Sequence, residues 1–220
     1  MANIGFFIPY LVIMIVGYLI GSIPFGFIIG KLHGIDIRKE GSGNIGATNV
    51  TRVVGKVAGK ICFALDFLKG LLPLLALKLL ICKGVIAPPV GGMGEAAVIL
   101  SVVLGHMFTL YLGFKGGKGI ATALGGVAGI APLPAVAAFL LWLVVFKVSG
   151  YVSLGSMIAA AALPVFMWLF GFLKITAPAA PGMLIFFVLL AAVAIWTHRS
   201  NIKRLLNGTE NSFKKKSGEA

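Results

Sequence analysis

Three polar segments interrupt an otherwise apolar chain and hold most of its chemically capable side chains. They are Gly41-Ser42-Gly43-Asn44-Ile45-Gly46-Ala47-Thr48-Asn49, Phe114-Lys115-Gly116-Gly117-Lys118-Gly119 and His198-Arg199-Ser200-Asn201-Ile202-Lys203-Arg204. Glycines let backbone N–H groups approach an anion closely, and lysine, arginine and asparagine side chains supply further donors. This combination suits phosphate, so the expected site handles phosphate groups at a bilayer surface. Cys62 and Cys82 have neither zinc-site nor disulfide-framework spacing. They read as packing residues, and no metal or cofactor is expected.

The first segment formally matches the dinucleotide fingerprint, as Gly41-x-Gly43-x-x-Gly46 with Asp66 about 20 residues on. The match fails because no strand-forming run precedes it and Asp66 falls inside an apolar span. What remains is a donor-rich concave loop built from Gly41, Ser42, Gly43, Asn44, Gly46, Thr48 and Asn49. Arg52 follows, able to grip a phosphate with two parallel N–H groups. A bland turn before a helix would need fewer glycines and polar groups.

The second segment imitates a Walker loop, but Leu112 stands where the first Gly belongs and Gly119 where Ser or Thr would hold magnesium. Lys115, Gly116, Gly117 and Lys118 at a helix N-terminus still make an anion site. Two topology-setting lysines would explain the charge but not the glycines. In the third segment His198, Asn201 and Arg204 recur three apart and share a helical face. Substrate contact is expected there rather than anchoring alone. Ser153 and Ser156 open a helix and either donate to the same site or cap that helix. His106 reads equally as a packing element or a catalyst. Asp66 and Lys69 are expected to pair, because a lone Asp at the centre of a span costs about 2.5–3.5 kcal/mol.

These residues must be positioned by membrane helices. The 220 residues are 59% hydrophobic and 11% charged, with a mean hydropathy of +1.05. Soluble domains carry about 25% charge. The chain therefore reads as an all-α polytopic membrane protein, one domain over 1–205 with a disordered basic tail over 206–220. The net charge of +13 fits topology control and anionic lipid. Nucleic acid is not expected, since no aromatic-studded basic groove is present.

Spans are expected over 4–30 (bent at Pro9 and Pro24), 57–82, 95–112, 119–147, 151–172 and 180–197. The first reads as a retained helix rather than a signal peptide. The stretch 119–147, interrupted by Pro132 and Pro134, decides the count. As one span it would put the 31–60 loop and the basic tail on opposite sides, against the positive-inside rule. Folded back at the prolines it gives a seven-helix bundle with one or more short or broken helices, N-terminus outside and C-terminus cytoplasmic. Segments 31–56, 113–119, 147–151 and 198–220 are then all cytoplasmic, and Lys78, Lys83 and Lys174 lie near the outer side. The glycosylation patterns at Asn49 and Asn207 fall on the cytoplasmic side and are discounted.

The run from Gly41 to Arg52 resembles the first motif of the bacterial acyl-phosphate-dependent glycerol-3-phosphate acyltransferases, the PlsY family. Gly105-His106-x-Phe108, leading into Phe114–Thr122, resembles the second, and His198–Glu210 the third. Gly17-Tyr-Leu-Ile-Gly-Ser-Ile-Pro-Phe-Gly26 also fits. The pattern departs at Thr109, where the resemblance implies Pro.

The resemblance implies transfer of a fatty acyl group from acyl-phosphate to the 1-hydroxyl of sn-glycerol 3-phosphate. The products are lysophosphatidic acid and inorganic phosphate, the first step of phospholipid synthesis. It also implies a multi-pass enzyme of the bacterial inner membrane with its active site at the cytoplasmic face. Ser42, Arg52, Lys115, His198 and Asn201 are then the catalytic set. Gly41, Gly43, Asn44, Gly46, Thr48, Asn49, Gly116, Gly117, Lys118, Ser153 and Arg204 bind substrate. The partners are acyl-phosphate, glycerol 3-phosphate and membrane lipid.

His33 and Asp36 have the wrong spacing for the soluble acyltransferase base motif. The hydroxyl proton passes either to His198 or to the departing phosphate, and the resemblance favours the second. A transporter or exchanger of an anionic phosphorylated metabolite is the main alternative. It would want a midplane site between repeats, and no repeat is visible. A non-catalytic scaffold would instead predict that single polar-to-Ala changes are mild.

Overall fold

Proline and glycine divide the apolar runs into their helices. The computed structural model describes residues 4–88 and 90–214, and every regular element among them is helical. Where the sequence reads as one domain, the contacts fall into two compact units that meet in sequence at Ile130–Ala131.

The first unit contains α1 (Ile4–Ser22), α2 (Phe25–Leu32), α3 (Ala47–Val53), α4 (Lys56–Cys82), α5 (Met93–Met107) and α6 (Ile120–Ile130), with single 3-10 turns at Val90–Gly92 and Leu110–Leu112. Pro24 turns the expected bend into a break between α1 and α2, because proline has no N–H and disfavours helical geometry at Ile23. Helix α5 packs along α1, and α6 along α4. With 27 residues α4 is about 40 Å long, more than the roughly 30 Å of a hydrocarbon core.

The third span ends at Met107 rather than near 112, since Phe108 leaves helical space at φ −120°, ψ 59°. The break is held from α1. Tyr18 Oη donates to Phe108 O at 2.7 Å, and the buried Thr109 hydroxyl donates to Ser22 O. Thr109 adopts φ −64°, the angle a proline ring enforces, so the threonine keeps the corner the resemblance expects of proline. Helix α6 has 11 residues, about 16 Å, and is shorter than the hydrocarbon core. Lys78 Nζ donates to Gly129 O at 2.5 Å and satisfies its last turn.

The second unit contains α7 (Pro132–Ser149), α8 (Val152–Phe172), α9 (Pro181–Thr197) and α10 (Arg199–Leu206). Pro132 opens α7 and Gly150, at φ +80°, closes it. The last span does not continue straight into the basic end: α9 and α10 are bent by 56° at His198. Leu140, Val144, Trp168, Val188 and Leu189 are exposed on these helices, as lipid-facing residues should be.

The expected disordered tail is corrected as far as residue 214. Phe213 N–H donates to Gly150 O at 3.0 Å, and its ring meets Phe146 edge-on at 5.8 Å. Residues 215–220 lie outside the described residues.

By length and apolarity, Ile8–Leu32, Met93–Leu112, Pro132–Ser149 and Val152–Phe172 can each cross a membrane, and the α9–α10 pair makes a fifth candidate. Helix α4 is long enough but carries Asp66, Lys69 and Lys78.

Candidate active site

In the first unit the Gly41–Arg52 loop is shaped by its own side chains. Gly41 (φ +62°) and Gly43 (φ +69°) take left-handed turns that favour glycine. Asn49 is 1% exposed, and its amide Nδ2 donates to Ile37 O at 3.0 Å and Glu40 O at 3.1 Å. Its Oδ1 accepts from Ser42 N–H at 2.8 Å. Asn49 therefore braces the loop from within instead of facing a ligand, contrary to its expected role. Asn44 Oδ1 accepts from Gly46 N–H at 2.8 Å, forming an Asx turn that opens α3. Ser42 is exposed, while Thr48 and Arg52 are half-buried on α3.

Arg38 donates to Asp36 at 2.9 and 2.7 Å. Those hydrogen bonds hold the Asp36 carboxyl well below the usual carboxylate range, so its charge is matched within a basic loop.

The second polar segment rests on the same floor. Ile37, Ile45, Val50, Ala58 and Cys62 form a buried apolar cluster against which Leu112 packs. From there the chain turns back on α5, with Phe114 in a left-handed conformation at φ +62°. Gly116 N–H donates to Met107 O and Gly117 N–H to His106 O, each at 3.0 Å. These bonds satisfy carbonyls that a helix end leaves without partners.

The expected nest of outward-facing glycine N–H groups is thereby corrected. Gly43 donates to Glu40 O, Gly46 to Asn44, and Gly116 and Gly117 to α5. Lys115 is exposed and Lys118 half-buried. Asp66 and Lys69 form the expected pair at 2.8 Å.

In the second unit the third segment gathers around a carboxylate that the site expectations omitted. Glu210 Oε1 accepts from Ser153 Oγ at 2.8 Å and Asn201 Nδ2 at 2.7 Å, and Oε2 from Arg204 Nε at 2.7 Å. Burial pushes this carboxyl up, but the hydrogen bonds from Asn201, Ser153 and Arg204 outweigh it and hold it below the usual range. Its signal in the sequence was an acid isolated in a basic tail. Ser156 neither caps α8 nor reaches the site, because its hydroxyl donates to Val152 O at 2.9 Å.

His198 is 3% exposed, with Nδ1 2.7 Å from Ala194 O. A carbonyl only accepts, so Nδ1 carries a proton.

The glycerol-3-phosphate acyltransferase family pattern matches residues 11–208. The chain belongs to that family. An acyltransferase of this name from Trichlorobacter lovleyi is 48% identical over 197 residues, covering 90% of this chain and 94% of the relative. Two crystal structures of PlsY, an integral membrane glycerol 3-phosphate acyltransferase, are also similar. The glycerol 3-phosphate form has a TM-score of 0.78 at 42% identity, and the lysophosphatidic acid form 0.76 at 41%. Each comparison covers 94% of this chain and 96% of that one. Every regular element among the described residues of this chain is helical, with four or five candidate membrane spans.

Proposed function

We propose that this acyltransferase moves a fatty acyl group from acyl-phosphate to the 1-hydroxyl of sn-glycerol 3-phosphate. The observation that carries this reading is the shared floor in the first unit, where Leu112 packs on the cluster beneath the Ser42–Arg52 loop. It keeps two phosphate-competent segments, one ending in Arg52 and one carrying Lys115 and Lys118, on one apolar base. Two phosphorylated reactants with an oily acyl chain need such a pairing of cations with an apolar interior. The similarity to PlsY in glycerol 3-phosphate and lysophosphatidic acid forms supports the acceptor and the product.

In this reaction the hydroxyl oxygen attacks the acyl carbonyl carbon. The bond from that carbon to the phosphate oxygen breaks, and the hydroxyl proton leaves with the departing phosphate. Acyl-phosphate is already activated, so the protein contributes mainly positioning and charge stabilisation. Ser42 and Asn44 bind the donor phosphate. Arg52, Lys115 and Lys118 clamp glycerol 3-phosphate and the developing carbonyl oxyanion. In the second unit Glu210 fixes Asn201 and Ser153 by accepting from both. Charge placement argues for seven crossings in the bacterial inner membrane, the N-terminus outside and these segments on the cytoplasmic face.

The test is lysophosphatidic acid formation, with release of the donor's leaving group, by purified protein in detergent, with acyl-phosphate, acyl-CoA and acyl carrier protein donors in parallel. Turnover is expected with acyl-phosphate alone and only when glycerol 3-phosphate is present. Equal turnover with acyl-CoA would overturn the donor, and release independent of glycerol 3-phosphate would overturn the reaction.

A further inference from the structure

Beneath the lysine loop lies a buried ionic group that the chemistry above does not use. The side chains of Asp66 and Lys69 are 3% and 2% exposed. Lys69 Nζ also donates to Ile23 O at 2.9 Å, at the break between α1 and α2. On its other side Asp66 Oδ1 lies 3.5 Å from His106 Nδ1.

The imidazole of His106 is itself buried, and its far edge abuts the loop. A Cβ added at Gly117 would sit 2.1 Å from His106 Nε2, and one at Gly116 2.0 Å from His106 O. The same carbonyl accepts the Gly117 N–H. Buried charges are retained at a cost, and a purely structural pair would need only Asp66 and Lys69. The third member instead connects that pair to the backbone between two lysines. Phe114, at φ +62°, shows how tightly this loop is held, since a bulky residue takes that conformation only when its surroundings impose it.

We propose that His106, anchored by the Asp66–Lys69 pair, is a positioning residue. Its ring holds the Gly116–Gly117 backbone and so aims Lys115 and Lys118 at the phosphate of glycerol 3-phosphate. The inference rests on the reaction assigned above.

His106→Asn keeps a side-chain N–H toward Asp66 but withdraws the ring from Gly117. In purified protein the KM for glycerol 3-phosphate is expected to rise about tenfold, with kcat and the KM for acyl-phosphate within about threefold of wild type. Gly117→Ala collides with the ring, so its KM defect should shrink in a His106→Ala background, where the methyl group has room. Trypsin cleavage after Lys115 and Lys118 should be several-fold faster in His106→Asn than in wild type. A fall in kcat with unchanged KM for glycerol 3-phosphate and unchanged loop cleavage would overturn the proposal. Should wild type itself lack turnover dependent on glycerol 3-phosphate, the reaction is wrong, and the trypsin comparison still decides whether His106 holds the loop.

Discussion

Arg52 and Lys115 are the residues on which the proposed clamp depends most, because each brings a full positive charge to a loop whose backbone donors are largely engaged elsewhere. Arg52→Ala and Lys115→Ala should each lower kcat/KM by about 10²–10³ while leaving membrane expression intact. Wild-type-like kinetics in either variant would remove that residue from the site. At this scale residue types were legible in sequence and residue roles less so. Ser42 and Asn49 look alike as polar members of one motif. Only the folded loop shows that Ser42 is exposed while Asn49 is consumed by Ile37, Glu40 and Ser42 itself. A side-chain amide can satisfy its neighbours as readily as a ligand, and nothing in spacing separates the two.

Among elements, the long helices could be read from apolar runs and their prolines. Helix α4 begins and ends within one residue of its expected bounds, and α8 and α9 likewise. The short helix α3 escaped, because seven residues give too few turns for a periodicity to stand out, and what escaped at α10 was the bend that separates it from α9. So did the strap that follows α10, since its anchor is a tertiary contact from Glu210 to Ser153 on α8.

That strap has a pH signature. Glu210 has a folded pKa below its unfolded one, so its ionised form favours the folded state. The contribution is complete above the ordinary glutamate range and disappears as pH falls through the folded value. In detergent, Glu210→Gln should melt below wild type at pH 7, and the difference should vanish on acidification. A difference that is constant with pH would show that the carboxylate charge plays no part.

For the molecule as a whole, charge asymmetry gives an orientation that thiol labelling can check. An impermeant reagent added to spheroplasts should label the exposed Cys82 at the far end of α4. It should miss Lys115→Cys and Ser212→Cys, which inverted vesicles should expose together. Labelling of those two positions from opposite sides would overturn that orientation.

The register of α6 on α4 sets a depth gauge for that side. Gly125 lies against Phe67 O, Gly129 against Leu74, and Lys78 holds the end of α6, so this short helix accompanies its longer neighbour only from about Phe67 to Lys78. If Cys82 marks the outer boundary of the oil, about 30 Å of hydrocarbon is used up near Phe63, and the first two turns of α4 stand clear in the headgroups. The Gly41–Arg52 segment, which meets that end of α4 where Gly59 lies against Thr51, then stands in the headgroup layer too. A water-borne acceptor can descend from above while a lipid donor slides in sideways, and neither tail nor headgroup has to change solvent for the two to meet.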